Sequence, residues 1–278
     1  MSDLAIIIVS YNTKADLHAC LSSLTATPPA VSHEILVVDN ASSDGSAQLI
    51  RNTWPEVALV EAEANLGFAS AVNRGLTQTD SSLVLLLNPD TAVHAGAVDR
   101  LVAVLKQDSA SAVVGPRLVD DEGQLEISFG AMLTPLAELW QKLLVAGHAR
   151  RLAPFSWLAR RQAARRRYVD WVSGACLPVS RAALDAVGGL DERFFLYTED
   201  VDLCASIRAR GRRVVFAPEI EIRHRRGRAR QHNPERAQQA YRRSHLAFYA
   251  KHHPRYHILL RLYLWLRGQL PPPQESGF

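Results

Sequence analysis

Apolar and polar positions alternate in blocks along the first 120 residues, and the block lengths predict an α/β order. Leu4–Val9 is a continuous apolar, β-branched run, the pattern of a strand buried on both faces. Leu17, Leu21 and Leu24 recur at helical spacing within Ala15–Leu24. The alternation continues with a strand at Glu34–Val38, a helix over Asp44–Asn52 that Asp44 can cap, a strand at Val57–Val60 and a helix over Phe68–Thr77. Leu83–Leu87, Gly96–Lys106 and Val113–Gly115 complete the series as strand, helix and strand. This order predicts a mostly parallel central sheet flanked by helices. Such sheets bind ligands beyond the carboxyl ends of their strands. Three polar clusters fall there: Ser10-Tyr11-Asn12, Asp39–Gly45 and Asn88-Pro89-Asp90.

Beyond residue 120 the rhythm breaks. Leu133, Leu136, Leu139, Trp140, Leu143 and Leu144 form a helical stripe. An arginine-rich stretch, Arg150–Arg167, follows with Phe155 and Trp157 interleaved. Together they predict a helical, basic insert over about 130–168. Trp171–Ser180 predicts one strand, then come a helix, the segment Gly188-Gly189-Leu190-Asp191-Glu192 and a helix over Val201–Arg210. Val214–Phe216 and Ile220–Ile222 predict short strands. From Glu235 the chain is helical and basic, ending near Pro271-Pro272-Pro273. The expected division is a main domain over 1–235 and a helical tail over 236–278 that suits a membrane surface.

Composition narrows the class. The 278 residues are 47% hydrophobic and 22% charged, which excludes a disordered, collagenous or coiled-coil chain. Cys20, Cys176 and Cys204 are odd in number and lack a Cys-x-x-Cys spacing. That excludes a disulfide framework and a zinc ribbon and suits a reducing cytosol. The start, with Asp3 and no basic residue, is not expected to be a signal peptide, and no run approaches the roughly 20 apolar residues of a membrane span. Residues 1–120 carry six Lys+Arg against 13 Asp+Glu, whereas 121–278 carry 26 against 15. The second half is therefore expected to face something anionic. No nucleic-acid-binding signature accompanies the arginines. Aromatic residues among them fit an anionic membrane surface, with a solvated basic face as the plain alternative.

Several residues carry candidate chemistry. Asp90 suits a hard divalent cation, Mg²⁺ or Mn²⁺, of the kind that bridges a carboxylate to substrate phosphates, or else a turn or helix cap. Asp39 ends a strand and opens a turn, where its carboxylate accepts hydrogen bonds either from a ligand or from the turn itself. Glu199-Asp200-Val201-Asp202 packs three acids into four residues, either for helix capping or to supply a general base. His224 ends a strand. His232, His245, His252, His253 and His257 fall in a polar tail without zinc spacing and are expected to be solvated.

Taken in order, the motifs resemble family 2 glycosyltransferases, inverting enzymes with the GT-A fold. The resemblance rests on Val9-Ser10-Tyr11-Asn12, Val37–Gly45, Asn65-Leu66-Gly67-Phe68 with Asn73 and Gly75, and Leu87-Asn88-Pro89-Asp90. It continues through Trp171–Ala175, Gly188–Glu192, Phe195–Leu203 and His224, and runs to about Gly227. The most similar subgroup is the rhamnosyltransferase-like set of cell-surface polysaccharide biosynthesis. The resemblance implies that Ser10, Tyr11 and Asn12 line the base pocket, that Asp39 bonds a pyrimidine, and that Asn73 lies near the nucleotide. It implies Asn88 and Asp90 at the Asp-x-Asp motif, a metal on Asp90 and His224, and Asp200 as catalytic base beside Glu199. Trp171 and Gly174 are implied to shape the sugar and acceptor site. Asn88 departs from the pattern, since an amide replaces the first acid and carries no charge. The implied donor is a nucleoside-diphosphate sugar, dTDP-L-rhamnose foremost. The implied acceptor is a saccharide, lipid-linked, at the inner face of the plasma membrane. The competing expectations are a non-catalytic nucleotide-sugar or polyanion-binding module, and a nucleotidyltransferase, which the glycine-free segment after the first strand disfavours.

Overall fold

The computed structural model describes residues 2–225 and 234–272, so Arg226, Gly227, His232 and Pro273 lie outside the described residues. In chain order, β1 (Leu4–Ser10), α1 (Lys14–Ala26), β2 (His33–Asp39), α2 (Ser46–Thr53), β3 (Ala58–Glu61), α3 (Phe68–Leu76) and β4 (Leu83–Leu87) alternate as expected. Next come β5 (Thr91–Ala92), α4 (Ala97–Gln107), β6 (Ser111–Val119), β7 (Leu125–Glu126), β8 (Phe129–Gly130), α5 (Pro135–Ala149) and α6 (Ala153–Gln162). The chain continues with β9 (Arg167–Val169), β10 (Trp171–Val172), β11 (Cys176–Ser180), α7 (Arg181–Val187), α8 (Glu199–Ala209), β12 (Arg213–His224), α9 (Pro234–His252) and α10 (Pro254–Leu266).

Every residue of β1 is buried, and successive side chains point to opposite faces. Ile6 and Ile8 join a core under α1, α2 and α4, while Ile7 and Val9 join another under α3, α7 and α8. The sheet runs β3-β2-β1-β4-β11-β6-β12-β5. The pairs β3-β2, β2-β1, β1-β4 and β6-β12 are parallel, whereas β11 lies antiparallel between β4 and β6. The mostly parallel α/β sheet flanked by helices is thus present, and β1, β2 and β4 end on one rim.

Four local expectations are corrected. Trp171–Ser180 is two strands in different sheets: β10 pairs with β8, β11 pairs with β4 and β6, and between them the Gly174 N–H donates to the Asp200 carboxylate. Val214–Phe216 and Ile220–Ile222 are one strand, β12, whose register shifts between Ala217 and Glu221, where Pro218 has no N–H for the ladder. Asp44 is not the cap residue of α2. Gly45 holds that position at φ +83°, and Asp44 accepts from Ser46 and from the Lys14 N–H at the start of α1. Finally, the tail histidines are not all solvated. His245 is buried on Glu138 and His252 bonds Asp202, because α9 packs against α5 and α8. Among the described residues no helix is long and apolar enough to cross a membrane.

Candidate active site

The ends of β1 and β2 form one side of the site. Ser10 and Asp39 stand opposite each other in the ladder, and both are buried. Ser10 Oγ pairs with Thr13 Oγ1 at 2.9 Å. Tyr11 is exposed. Asn12 adopts φ +52° and accepts the Ser43 N–H at 2.8 Å. Asp39 Oδ2 accepts the Ser42 N–H at 3.0 Å, but Oδ1 is buried with no hydrogen-bond partner. A buried carboxylate oxygen is costly to leave unpaired, so Oδ1 is ready for a ligand N–H or O–H.

Asn40, which the sequence did not single out, fastens the next loop. Its amide donates to Asn65 Oδ1 and to the Gly67 carbonyl and accepts the Leu66 N–H. Gly67 is at φ +81°, and a methyl there would lie 2.5 Å from the Phe195 carbonyl oxygen. That carbonyl accepts the Phe68 N–H at 2.7 Å. The Asn65–Phe68 loop therefore lies directly on the segment leading to Glu199 and Asp200.

From there the contacts return to the sheet. Asp200 Oδ2 accepts the Gly174 N–H at 2.8 Å. The neighbouring Ala175 carbonyl accepts the Asn88 N–H at 2.9 Å, and Leu87 pairs with Ile8 of β1. Hydrogen bonds and the short stretches of chain between them thus link the end of β2 at Asp39-Asn40, the 65–68 loop, the 195–200 segment, Gly174 and Asn88. Asp39 and Asn88 sit two strands apart, about 10 Å. Tyr197 and Thr198, at φ +70° and +71°, turn the chain into α8. For non-glycine residues this costs roughly 1–2 kcal/mol each, and strain of this kind concentrates at functional sites.

Electrostatics separate the three acids. Burial raises the Glu199 carboxyl well above its ordinary range and the Asp200 charge beside it adds to this; Glu199 Oε2 has no partner. Burial also raises Asp200, while the Gly174 and Val201 N–H groups pull it back. The net effect leaves the Asp200 carboxyl above its ordinary range. Asp202 is excluded from the site, since its oxygens accept from Lys251 Nζ at 2.8 Å and His252 Nε2 at 2.6 Å.

Asp90 lies at the start of β5, with Oδ1 buried and 3.4 Å from His224 Nε2. His224 Nδ1 contacts Glu126 Oε2 at 2.8 Å. Burial alone would lower the imidazole pKa, but the two carboxylates outweigh it and hold it at about 9. Asp90 Oδ1 is an oxygen ligand that suits a hard cation, whereas His224, protonated between its two carboxylates, could ligate one only after giving up its Nε2 proton. Among the described residues no group of three His, Cys, Asp or Glu side chains converges for a metal. A cation here would rest on the Asp90 carboxylate plus ligand oxygens, as is usual for Mg²⁺, with His224 joining only once deprotonated.

The remaining expected residues lie around this rim in different ways. Trp171 donates from Nε1 to the Ala131 carbonyl at 2.9 Å. A methyl on Gly174 would come within 3.2 Å of Asp200 Cβ. Asn73 is held elsewhere: its amide bonds the N–H and carbonyl of Leu190 and Glu192 Oε1, so it fastens the 188–192 loop. Asn40, Glu126 and Lys251 escaped the sequence reading and His252 was expected to be solvated, because each acts through a partner 25 to 98 positions away. The Asn directly after Asp39 was the one local signal.

The model of the glycosyltransferase-like family 2 matches residues 2–255. The chain is 31% identical over 270 residues to the N-acetylglucosaminyl-diphospho-decaprenol L-rhamnosyltransferase of Mycobacterium tuberculosis, covering 90% of this chain and 85% of that one. It is 26% identical over 212 residues to a low-salt glycan biosynthesis hexosyltransferase of Haloferax volcanii, covering 73% of this chain and 61% of that one. The fold matches a mannosyltransferase from Pyrobaculum calidifontis solved with GDP-mannose and Mn²⁺, with a TM-score of 0.61 and 19% identity over 97% of this chain and 72% of the other. With the family pattern running through nearly the whole sequence, and with the sheet and rim that pattern implies, the chain belongs to glycosyltransferase family 2 and carries the GT-A fold.

Proposed function

We propose that this glycosyltransferase moves a sugar with inversion from a pyrimidine-nucleoside diphosphate, dTDP-L-rhamnose foremost, to a hydroxyl of a lipid-linked saccharide. Such a step belongs to cell-envelope polysaccharide synthesis at the inner face of the plasma membrane. The observation that supports the reading is the set of hydrogen bonds that ties Asn40, beside Asp39, to the 65–68 loop, that loop to the segment leading to Asp200, and Asp200 to Gly174, next to the Ala175 contact with Asn88. The name of the mycobacterial relative supports the choice of sugar and acceptor.

In this reading Ser10, Tyr11 and Asn12 line the base pocket. Asp39 Oδ1 takes the pyrimidine N–H, and Asn88 bonds the ribose. Trp171 and Gly174 bound the sugar and acceptor. Asp200 takes the acceptor hydroxyl proton as the acceptor oxygen attacks the anomeric carbon. The bond from that carbon to the phosphate oxygen breaks on the opposite side, and its electron pair leaves with the nucleoside diphosphate. Proton transfer of this kind contributes about 10²–10⁴-fold. Burial keeps the base's pKa raised, and the Asp200 charge in turn raises the neighbouring Glu199 carboxyl. Asp90 and His224 would hold Mg²⁺ or Mn²⁺, which when bound neutralises charge on the leaving diphosphate. Asn73 acts indirectly by fixing the 188–192 loop.

A thermal-shift panel of nucleotide sugars, with and without Mn²⁺, tests this, because a ligand that binds only the folded state stabilises it in proportion to affinity. dTDP-L-rhamnose should raise Tm most, and more with Mn²⁺. A larger shift with GDP-mannose would overturn the pyrimidine assignment. Asp200→Asn should keep the donor shift and lose transfer by at least about 10²-fold; retained turnover would remove Asp200 from the mechanism.

A further inference from the structure

Away from the rim, the molecule leaves a large apolar surface uncovered. On α5, Leu136, Leu139, Trp140 and Leu143 are all about half or more exposed, at positions that fall on one side of the helix. The opposite side is held down through Glu138, Gln141 and Leu144. On α10, Ile258, Leu259, Leu262, Trp265 and Leu266 are exposed, and Leu264 alone is buried. The two helices belong to one packed unit. Glu138 of α5 accepts from His245 and Tyr249 of α9 at 2.7 Å each, Leu260 of α10 packs on the Phe248 and Tyr249 cluster, and the Tyr263 phenol is within electrostatic reach of Lys142.

The charge on this unit is one-sided. Residues 135–162 and 254–267 contain Lys142 and seven arginines, and Glu138 is their sole acid. Glu138 is buried and bound to His245, Tyr249 and Lys142, so these segments offer no exposed carboxylate.

We propose that α5, α6 and α10 form a foot that lies on an anionic bilayer surface, with the leucines and tryptophans in the acyl boundary and the arginines at the headgroups. The inference deepens the reading of a lipid-linked acceptor, but its test needs no turnover. A 13-residue α10 is too short to span a bilayer and suited to lying in its interface. A second copy fits poorly, because a two-fold interface repeats the same patch on both sides and would set arginine against arginine. A hydrophilic polyanion would neutralise the arginines and leave Leu262, Trp265 and Leu266 in water. An anionic lipid surface satisfies both kinds of side chain.

The full chain should be sedimented with phosphatidylglycerol vesicles and with phosphatidylcholine vesicles, at low and high salt. It should bind the former strongly and the latter weakly, and salt should weaken binding. Combining Arg255→Gln, Arg261→Gln and Arg267→Gln should lower partition by roughly fivefold per arginine. Leu262→Ser with Trp265→Ser should remove the binding that survives high salt. Brominated lipid should quench tryptophan emission of the parent chain more than that of Trp265→Ser. The donor thermal shift, measured in parallel, should be the same in all variants, which separates loss of the foot from failure of the nucleotide assignment. Equal partition of parent and variants would overturn the proposal. So would a dimer, seen by light scattering and lost in the leucine–tryptophan variant, without vesicle binding.

Discussion

Glu199 is a buried carboxyl with one oxygen unpartnered and its pKa raised by burial and then by Asp200. A carboxyl whose folded pKa is raised binds its proton more tightly folded than unfolded. Its contribution to stability is complete below the ordinary value of 4.5 and is lost as pH rises through the raised value. Glu199→Gln keeps the shape and removes the titration. The Tm of the parent should therefore fall relative to that of Glu199→Gln as pH rises above the ordinary value of 4.5, and parallel Tm curves would refute the assignment. Gly67 makes a second prediction. Its φ of +81° and ψ of 173° lie where essentially glycine alone is found, and a side chain would strike the Phe195 carbonyl. Gly67→Ala should cost about 2–4 kcal/mol in urea unfolding. It should lower transfer as well, because Phe195 leads directly into the segment carrying Asp200.

Helix α8 carries Asp200, the proposed base, in its first turn, and its position is set from outside. Asp202, one helical step from Asp200, is clasped by Lys251 and His252 at the end of α9, and Lys251 also reaches Asp191 at 2.8 Å. Removing the lysine leaves two carboxylates with less compensation, and one of them is buried. Lys251→Met should cost about 1–3 kcal/mol and reduce kcat more than it changes donor KM, since the proposed donor-binding residues after β1 and β2 make no hydrogen bond to this clasp. An unchanged kcat would show that α8 holds its place without α9. The same element explains an expectation that failed. The apolar run Trp171–Ser180 has the pattern of a single strand, but Asp200 draws the Gly174 N–H out of the ladder, and that acid is 26 residues further on.

On the scale of the whole molecule, the first helix of the tail, α9, is part of the core. Phe248 and Tyr249 of α9 are buried against Phe194 and Val201, and burying such a side chain is worth about 1.5–3 kcal/mol. Deleting residues 234–278 should lower Tm sharply and increase binding of a hydrophobic dye; a truncated chain melting like the parent would refute this. The apolar runs of β1, β2 and β4 and the helical spacing between them were legible in the sequence, because both faces of a central strand must be buried whatever surrounds it. The order of Asp39, Asp90 and Asp200 along the chain was also legible, since turn chemistry follows strand ends. The tail histidines, the Asn40 staple, the Glu126 contact with His224 and the split at Gly174 were not. Each depends on a partner brought close only when the sheet closes, and hydrogen bonds between distant side chains leave no periodic trace. Sequence alone determined the layered sheet and the residue types at its rim. Tertiary structure decided which acids stay free for a ligand and which are already bound, because the pairing of a buried charge depends on its neighbours in space.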